Sequence, residues 1–71
     1  MDLDNLKRFE SETVITEEYA VEVYRSGRGC FATVKDDGSR FNGTFAFASV
    51  PSTAFAVLLD KVAELKQTQA A

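Results

Sequence analysis

Apolar positions recur at steps of three and four over Pro51–Gln67, PSTAFAVLLDKVAELKQ, at Phe55, Leu58, Leu59, Val62 and Leu65. That spacing predicts an α-helix with one apolar stripe, with Asp60, Lys61, Glu64, Lys66 and Gln67 mostly off it. Fully burying five such side chains contributes on the order of 8–15 kcal/mol before chain entropy is set against it. The helix therefore needs a sheet or a second helix to lie on. Ser49 or Ser52 is placed to cap its start, and Pro51 suits an opening turn.

Upstream the period changes to two. Tyr19–Arg25 (YAVEVYR) sends Tyr19, Val21 and Val23 to one face and Ala20, Glu22 and Tyr24 to the other. Ser26-Gly27-Arg28-Gly29 supplies a turn. Cys30–Lys35 reads as a second strand, with Cys30, Ala32 and Val34 on one face and Phe31, Thr33 and Lys35 on the other. Asp36-Asp37-Gly38-Ser39 is the strongest hairpin-turn signal in the chain. Arg40–Ala48 (RFNGTFAFA) reads as the third strand, Phe41, Gly43, Phe45 and Phe47 on one face and Arg40, Asn42, Thr44 and Ala46 on the other; Gly43 marks a bulge or a close helix approach, or Asn42-Gly43 is instead a local turn that splits the strand. The face carrying Val21, Val23, Ala32, Val34, Phe45 and Phe47 is expected to receive the helix.

Residues 2–11 read as a short helix, capped by Asp2 or Asp4, with Leu3, Leu6 and Phe9 near one side and Asp4 and Arg8 four apart. Ser11–Glu18 reads either as an extended connection or as the early part of the first strand. The expected architecture is one two-layer α+β domain over residues 1–71. It has the order α-β-β-β-α: a three-stranded antiparallel meander, a C-terminal helix packed on one face and a short N-terminal helix.

Composition narrows the chemistry. A chain of 71 residues is one domain that buries only about 60% of its unfolded surface. The single thiol, Cys30, excludes an internal disulfide, and with no histidine the usual zinc ligand sets cannot be assembled. Histidine-based acid–base catalysis and an imidazole-activated Cys30 are excluded for the same reason. Asp36-Asp37-Gly38 lacks the ligand spacing of a calcium loop, and Gly27-Arg28-Gly29 is too short for a phosphate or dinucleotide loop. Asn42-Gly43-Thr44 matches a glycosylation acceptor by chance alone in a chain whose start, MDLDNLKRFE, lacks a signal peptide's basic and apolar regions. No run of 18 apolar residues occurs. A non-enzymatic, cofactor-free, metal-free cytoplasmic protein with no membrane partner is expected.

The net charge of −3 is unevenly spread. Residues 1–24 carry seven acids and two bases, residues 25–40 four bases and two acids. That asymmetry points to charged contacts with a macromolecule. In the alternation above, the sheet face away from the helix shows Glu22, Tyr24, Phe31, Thr33, Lys35, Arg40, Asn42 and Thr44. Aromatics with Arg25, Arg28 and Arg40 nearby suit protein recognition, and Tyr24, Arg25, Arg28, Phe31 and Arg40 are the expected contacts, with Glu17, Glu18 and Glu22 next. The acidic segment from Asp2 to Glu22 suits a basic, nucleic-acid-facing groove on a partner, and the hairpin from Arg25 to Arg40 an acidic one. The alternative is a sheet platform that stacks single-stranded RNA. A first helix folded over this face would instead make Tyr24 and Phe31 a small second core.

The α-β-β-β-α order resembles the double-stranded RNA-binding domain over most of the chain. That resemblance implies a lysine cluster opening the second helix. Here the matching segment is Ser49-Val50-Pro51-Ser52-Thr53-Ala54, the next lysine is Lys61, and the first helix is acidic, which argues against duplex binding. In size and charge the chain is similar to small phage proteins that block bacterial defence complexes such as CRISPR. A stoichiometric inhibitor or adaptor acting on a larger complex is the leading expectation. A free edge on the first or third strand leaves homodimerisation open.

Overall fold

The computed structural model describes residues 3–69. A 3-10 turn, Leu3–Asn5, is followed by β1 (Ser11–Ile15), β2 (Ala20–Arg25), β3 (Cys30–Val34), β4 (Phe45–Ala48) and α1 (Pro51–Gln69). The strands form one antiparallel sheet in the order β1-β2-β3-β4, and α1 lies across one face of it, against β4, β3 and β2.

The two-layer α+β plan is as expected, but the sheet has four strands rather than three. Thr16 is the reason that the stretch after Ser11 becomes a strand of its own. Its hydroxyl donates to the Tyr19 carbonyl (2.7 Å) and accepts the Tyr19 amide (3.1 Å), while its amide donates to the same carbonyl (2.9 Å). This hydroxyl-closed turn folds β1 back on β2 in the register Val14↔Val21.

The N-terminal helix does not form. After the 3-10 turn, Phe9 adopts a left-handed φ of 67°, and its amide donates to the Arg25 carbonyl (2.6 Å). That bond draws the chain to the sheet edge, and a positive φ at a bulky residue ends any helix. Leu3 and Leu6 are buried, whereas Phe9, which a docked helix would have buried with Leu6, is 65% exposed. The proposed Asp2 cap lies outside the described residues. Asp4 caps a different helix: its carboxylate accepts the Ser52 amide and hydroxyl, both at 3.1 Å, at the start of α1. A carboxylate there satisfies a first-turn donor and complements the helix dipole, so α1 is capped from 48 residues away rather than by Ser49 or Ser52 themselves.

The largest correction concerns the expected third strand. Pairing resumes only near Phe45, not at Arg40, because residues 36–44 close on themselves. The Asn42 side chain accepts the Asp36 amide (2.9 Å), the Asp36 carboxylate accepts the Gly38 amide (3.0 Å), and Gly43 turns at a φ of 91°. The alternation carried through from Phe41 is thereby broken. Phe41 is buried edge-on to Tyr19, with ring centroids 6.3 Å apart, while Phe45 and Phe47 face away from α1 and Ala46 faces it. Arg40, Asn42 and Thr44 accordingly lie outside the strands.

Alanine suits the helix-facing side for a steric reason. Ala54, Leu58 and Val62, one per turn of α1, are buried on a floor of Val21, Val23, Cys30, Ala32, Val34 and Ala46. Small residues on both sides bring helix and sheet close. The buried stripe is therefore narrower than the sequence pattern: Phe55 and Leu59 flank it half-buried, and Leu65 is exposed.

Two outcomes follow from this packing. Ala46→Leu should destabilise the fold by about 1–3 kcal/mol by overpacking, while Phe45→Ala should cost less than about 1 kcal/mol, read from urea midpoints. Burial raises the Tyr19 phenol above its ordinary value of 10.0, opposed by Lys66 and aided by Glu18. The native state then holds that proton more tightly than the unfolded chain. This stabilisation is complete below pH 10 and falls as pH rises through the raised native value. Tyr19→Phe should flatten the decline of stability above pH 10 relative to the parent in an alkaline denaturation series.

Candidate interaction face

Among the described residues, no second layer lies over the sheet face opposite α1. Its composition follows from strand parity: Ser11, Thr13 and Ile15 of β1, Ala20, Glu22 and Tyr24 of β2, Phe31 and Thr33 of β3, and Phe45 and Phe47 of β4. Register places Tyr24, Phe31 and Phe47 side by side across three strands. Phe31 and Phe47 meet edge-to-face with centroids 4.9 Å apart, a favoured aromatic geometry. The next row reads Thr13, Glu22, Thr33 and Phe45.

Tyr24 and Phe31 are half-buried among their neighbours, and no N-terminal helix folds over them. Phe45 and Phe47 are 54% and 51% exposed, and Ile15 is 74% exposed. The two phenylalanine rings alone leave roughly 200 Å² of apolar surface open. Phe45 and Phe47, with the half-buried Tyr24 and Phe31 beside them, form one exposed apolar patch on this face, and Ile15 lies apart from it at the far end of β1.

The charged candidates are divided. Arg28 is exposed in the β2–β3 turn, at the end of the sheet where Phe47 lies. Arg25 points to the other side of the sheet and donates to the Leu6 carbonyl (2.8 Å), tethering the N-terminal segment. Arg40 lies at the opposite end of the sheet, its guanidinium 4.8 Å from the Phe41 ring centre. Glu17 and Glu18 occupy the exposed β1–β2 turn, where Glu18 pairs with Lys66 of α1. Glu22 sits half-buried in the middle of the open face. Structure thus groups Glu22, Tyr24, Phe31 and Arg28, and separates them from Arg25, Arg40, Glu17 and Glu18.

Sequence reasoning missed four residues of this region. Parity carried through the loop puts Phe45 and Phe47 on the helix side, and the structure turns them to the open face. Ile15 lay in the unassigned stretch. Arg8 was placed on a helix; its guanidinium instead lies against the β2–β3 turn at Gly27 and 5.3 Å from the Phe9 ring centre. Arg8 and Arg28 therefore give one end of the sheet a basic character.

Elsewhere the surface is shallow. An open depression of about 470 Å³ is lined by Thr33, Val34, Lys35, Asp37, Asn42 and Gly43. No protein-family model, curated protein or solved structure matches this chain. Among the described residues, no helix is long and apolar enough to cross a membrane.

Gly29 leaves the space that the Phe47 ring occupies. A Cβ at Gly29 would lie 2.5 Å from the Phe47 Cζ, and Gly29 has a φ of 154°. Gly29→Ala should therefore push the ring off its seat and destabilise the protein by about 1 kcal/mol or more. In a Phe47→Ala background the same change should cost less. A double-mutant cycle in urea should show that non-additivity as a coupling of about 0.5 kcal/mol or more.

Proposed function

We propose that the protein is a non-enzymatic binding module that acts by covering a surface of a larger protein partner, as a stoichiometric inhibitor or adaptor. The observation that supports this reading most directly is the unlayered sheet face, with Tyr24, Phe31 and Phe47 in one row and Phe45 beside them. Rigid aromatics on a sheet lose little side-chain freedom on docking, and aromatics with arginine are the usual anchors of an interface. Arg28 and Arg8 border the row at one end and ask for acidic groups on the partner. Glu22 in the next row asks for a donor.

The charges on the described residues also suit a binding role. None has a buried acidic or basic side chain, and the buried phenol of Tyr19 belongs to the core. A small acidic chain that docks by one face keeps the phage-type inhibitor of a defence complex within this reading, and a cytoplasmic setting suits it.

The same aromatic row supports a second reading, base stacking on single-stranded RNA. Its phosphate contacts are poor. Arg25 is committed to Leu6, Arg40 lies at the far end, and Glu22 would face the strand. Protein recognition is the better account.

Affinity capture from the native host, with parent and variant baits, tests the proposal. A partner retained in stoichiometric amount should be lost about tenfold or more with Tyr24→Ala, Phe47→Ala or Arg28→Ala. It should be kept with Val57→Ala on the exposed side of α1. Binding that survives the three face variants overturns the proposal, as does single-stranded RNA binding that weakens steeply with salt.

A further inference from the structure

The two outer strands of the sheet are finished differently. Around β4, the Val34 amide donates to the Thr44 carbonyl (2.8 Å), so the main-chain groups of Thr44, Ala46 and Ala48 point into the sheet and those of Phe45 and Phe47 point out. Lys61 of α1 closes this edge. Its ammonium donates to the outward Phe45 carbonyl (2.9 Å) and lies 5.3 Å from the Phe45 ring centre. A lysine at an exposed edge is a standard guard against strand addition.

β1 has no such guard. The bonds from the Arg25 amide to the Glu10 carbonyl and from the Thr16 amide to the Tyr19 carbonyl, both 2.9 Å, bracket its ladder with β2. Alternation between them turns the main-chain groups of Glu12 and Val14 inward and those of Ser11, Thr13 and Ile15 outward. β1 reads SETVI, with no lysine, proline or glycine, and Ile15 at its end is the most exposed large apolar residue described.

This edge fits itself. Two copies of β1 running antiparallel about a two-fold axis at Thr13 set Ser11 opposite Ile15, Thr13 opposite Thr13 and Glu12 opposite Val14. All three outward residues then become hydrogen-bonded pairs. Thr–Thr is a favoured cross-strand pair, and no carboxylate faces a carboxylate. Centring on Glu12 would set Glu12 against Glu12; centring on Val14 would leave Ser11 outside the strand pairing. Beyond the strand ends, the Thr13 register carries Glu17 of one copy toward Lys7 and Arg8 of the other, twice over, while Glu18 stays with Lys66 of its own chain. The acidic and basic blocks of the chain are thus complementary across the axis.

We propose that the protein associates with a second copy of itself through β1, in the register centred on Thr13, to form one continuous eight-stranded sheet. The two open aromatic faces then lie on the same side of that sheet. The proposal concerns the edge and does not rest on what the open face binds.

Sedimentation across a concentration series, with disulfide trapping, tests it. Paired Thr13 residues would bring their Cα atoms to about 5.5 Å, within disulfide range. Thr13→Cys should give a covalent dimer under mild oxidation, and Phe45→Cys on β4 should not. Thr13→Lys should raise the dimer dissociation constant about tenfold or more with the far-UV spectrum unchanged, and Val57→Ala on the exposed side of α1 should leave it as it is. Glu17→Lys should weaken the dimer, and adding Lys7→Glu with Arg8→Glu should restore it. A parent protein that stays monomeric up to about 1 mM overturns the proposal, as does a dimer trapped through Phe45→Cys but not through Thr13→Cys.

Discussion

The close seat of α1 on the sheet is the constraint on which the rest of the molecule depends. Ala54 on the helix and Ala32 and Ala46 on the sheet are fully or almost fully buried in one cluster with Leu58 and Val62. Once the helix is that near, β4 can show it only small residues. The two phenylalanines of β4 are then obliged to face the other way. Their exposure is a consequence of how the core is closed.

One helix and 71 residues cannot cover both faces of a four-stranded sheet. The described residues therefore leave an aromatic face only partly buried, and an outer strand whose outward hydrogen-bonding groups they do not meet. Both are costs for an isolated domain and both are assets for association. The guarded edge at β4 and the unguarded edge at β1 show that the exposure is unequal, with the side chain of Lys61 making the difference.

Several charges that look free in the primary structure serve the fold. Asp4 caps α1 from the other end of the chain, Arg25 holds the Leu6 carbonyl, and Lys66 pairs with Glu18 to tie the last turns of α1 to the β1–β2 turn. Surface pairs of this kind are individually weak. Their effect is positional: they anchor the N-terminal segment and the turn that are least supported by buried apolar contacts. What remains for a partner is Arg28, Arg8 and Glu22 around the aromatic row.

Local pattern alone was enough to identify β2, β3 and α1, because period-two and helical alternation are properties of neighbouring residues and both faces of these elements are strongly contrasted. It was also enough to place Tyr24, Phe31 and Glu22 on the side away from the helix. Phe45 and Phe47 were not legible, since their side depends on how many residues the loop at 36–44 consumes, and that is set by the Asn42 and Asp36 side chains closing it. The roles of Arg25 and Asp4 were hidden for another reason: each acts on a group far along the chain, and only folding brings the two together. A sequence specifies alternation within a strand by itself, but which of its two sides becomes the inside is decided when the helix, the loop and the neighbouring strand compete for the same space.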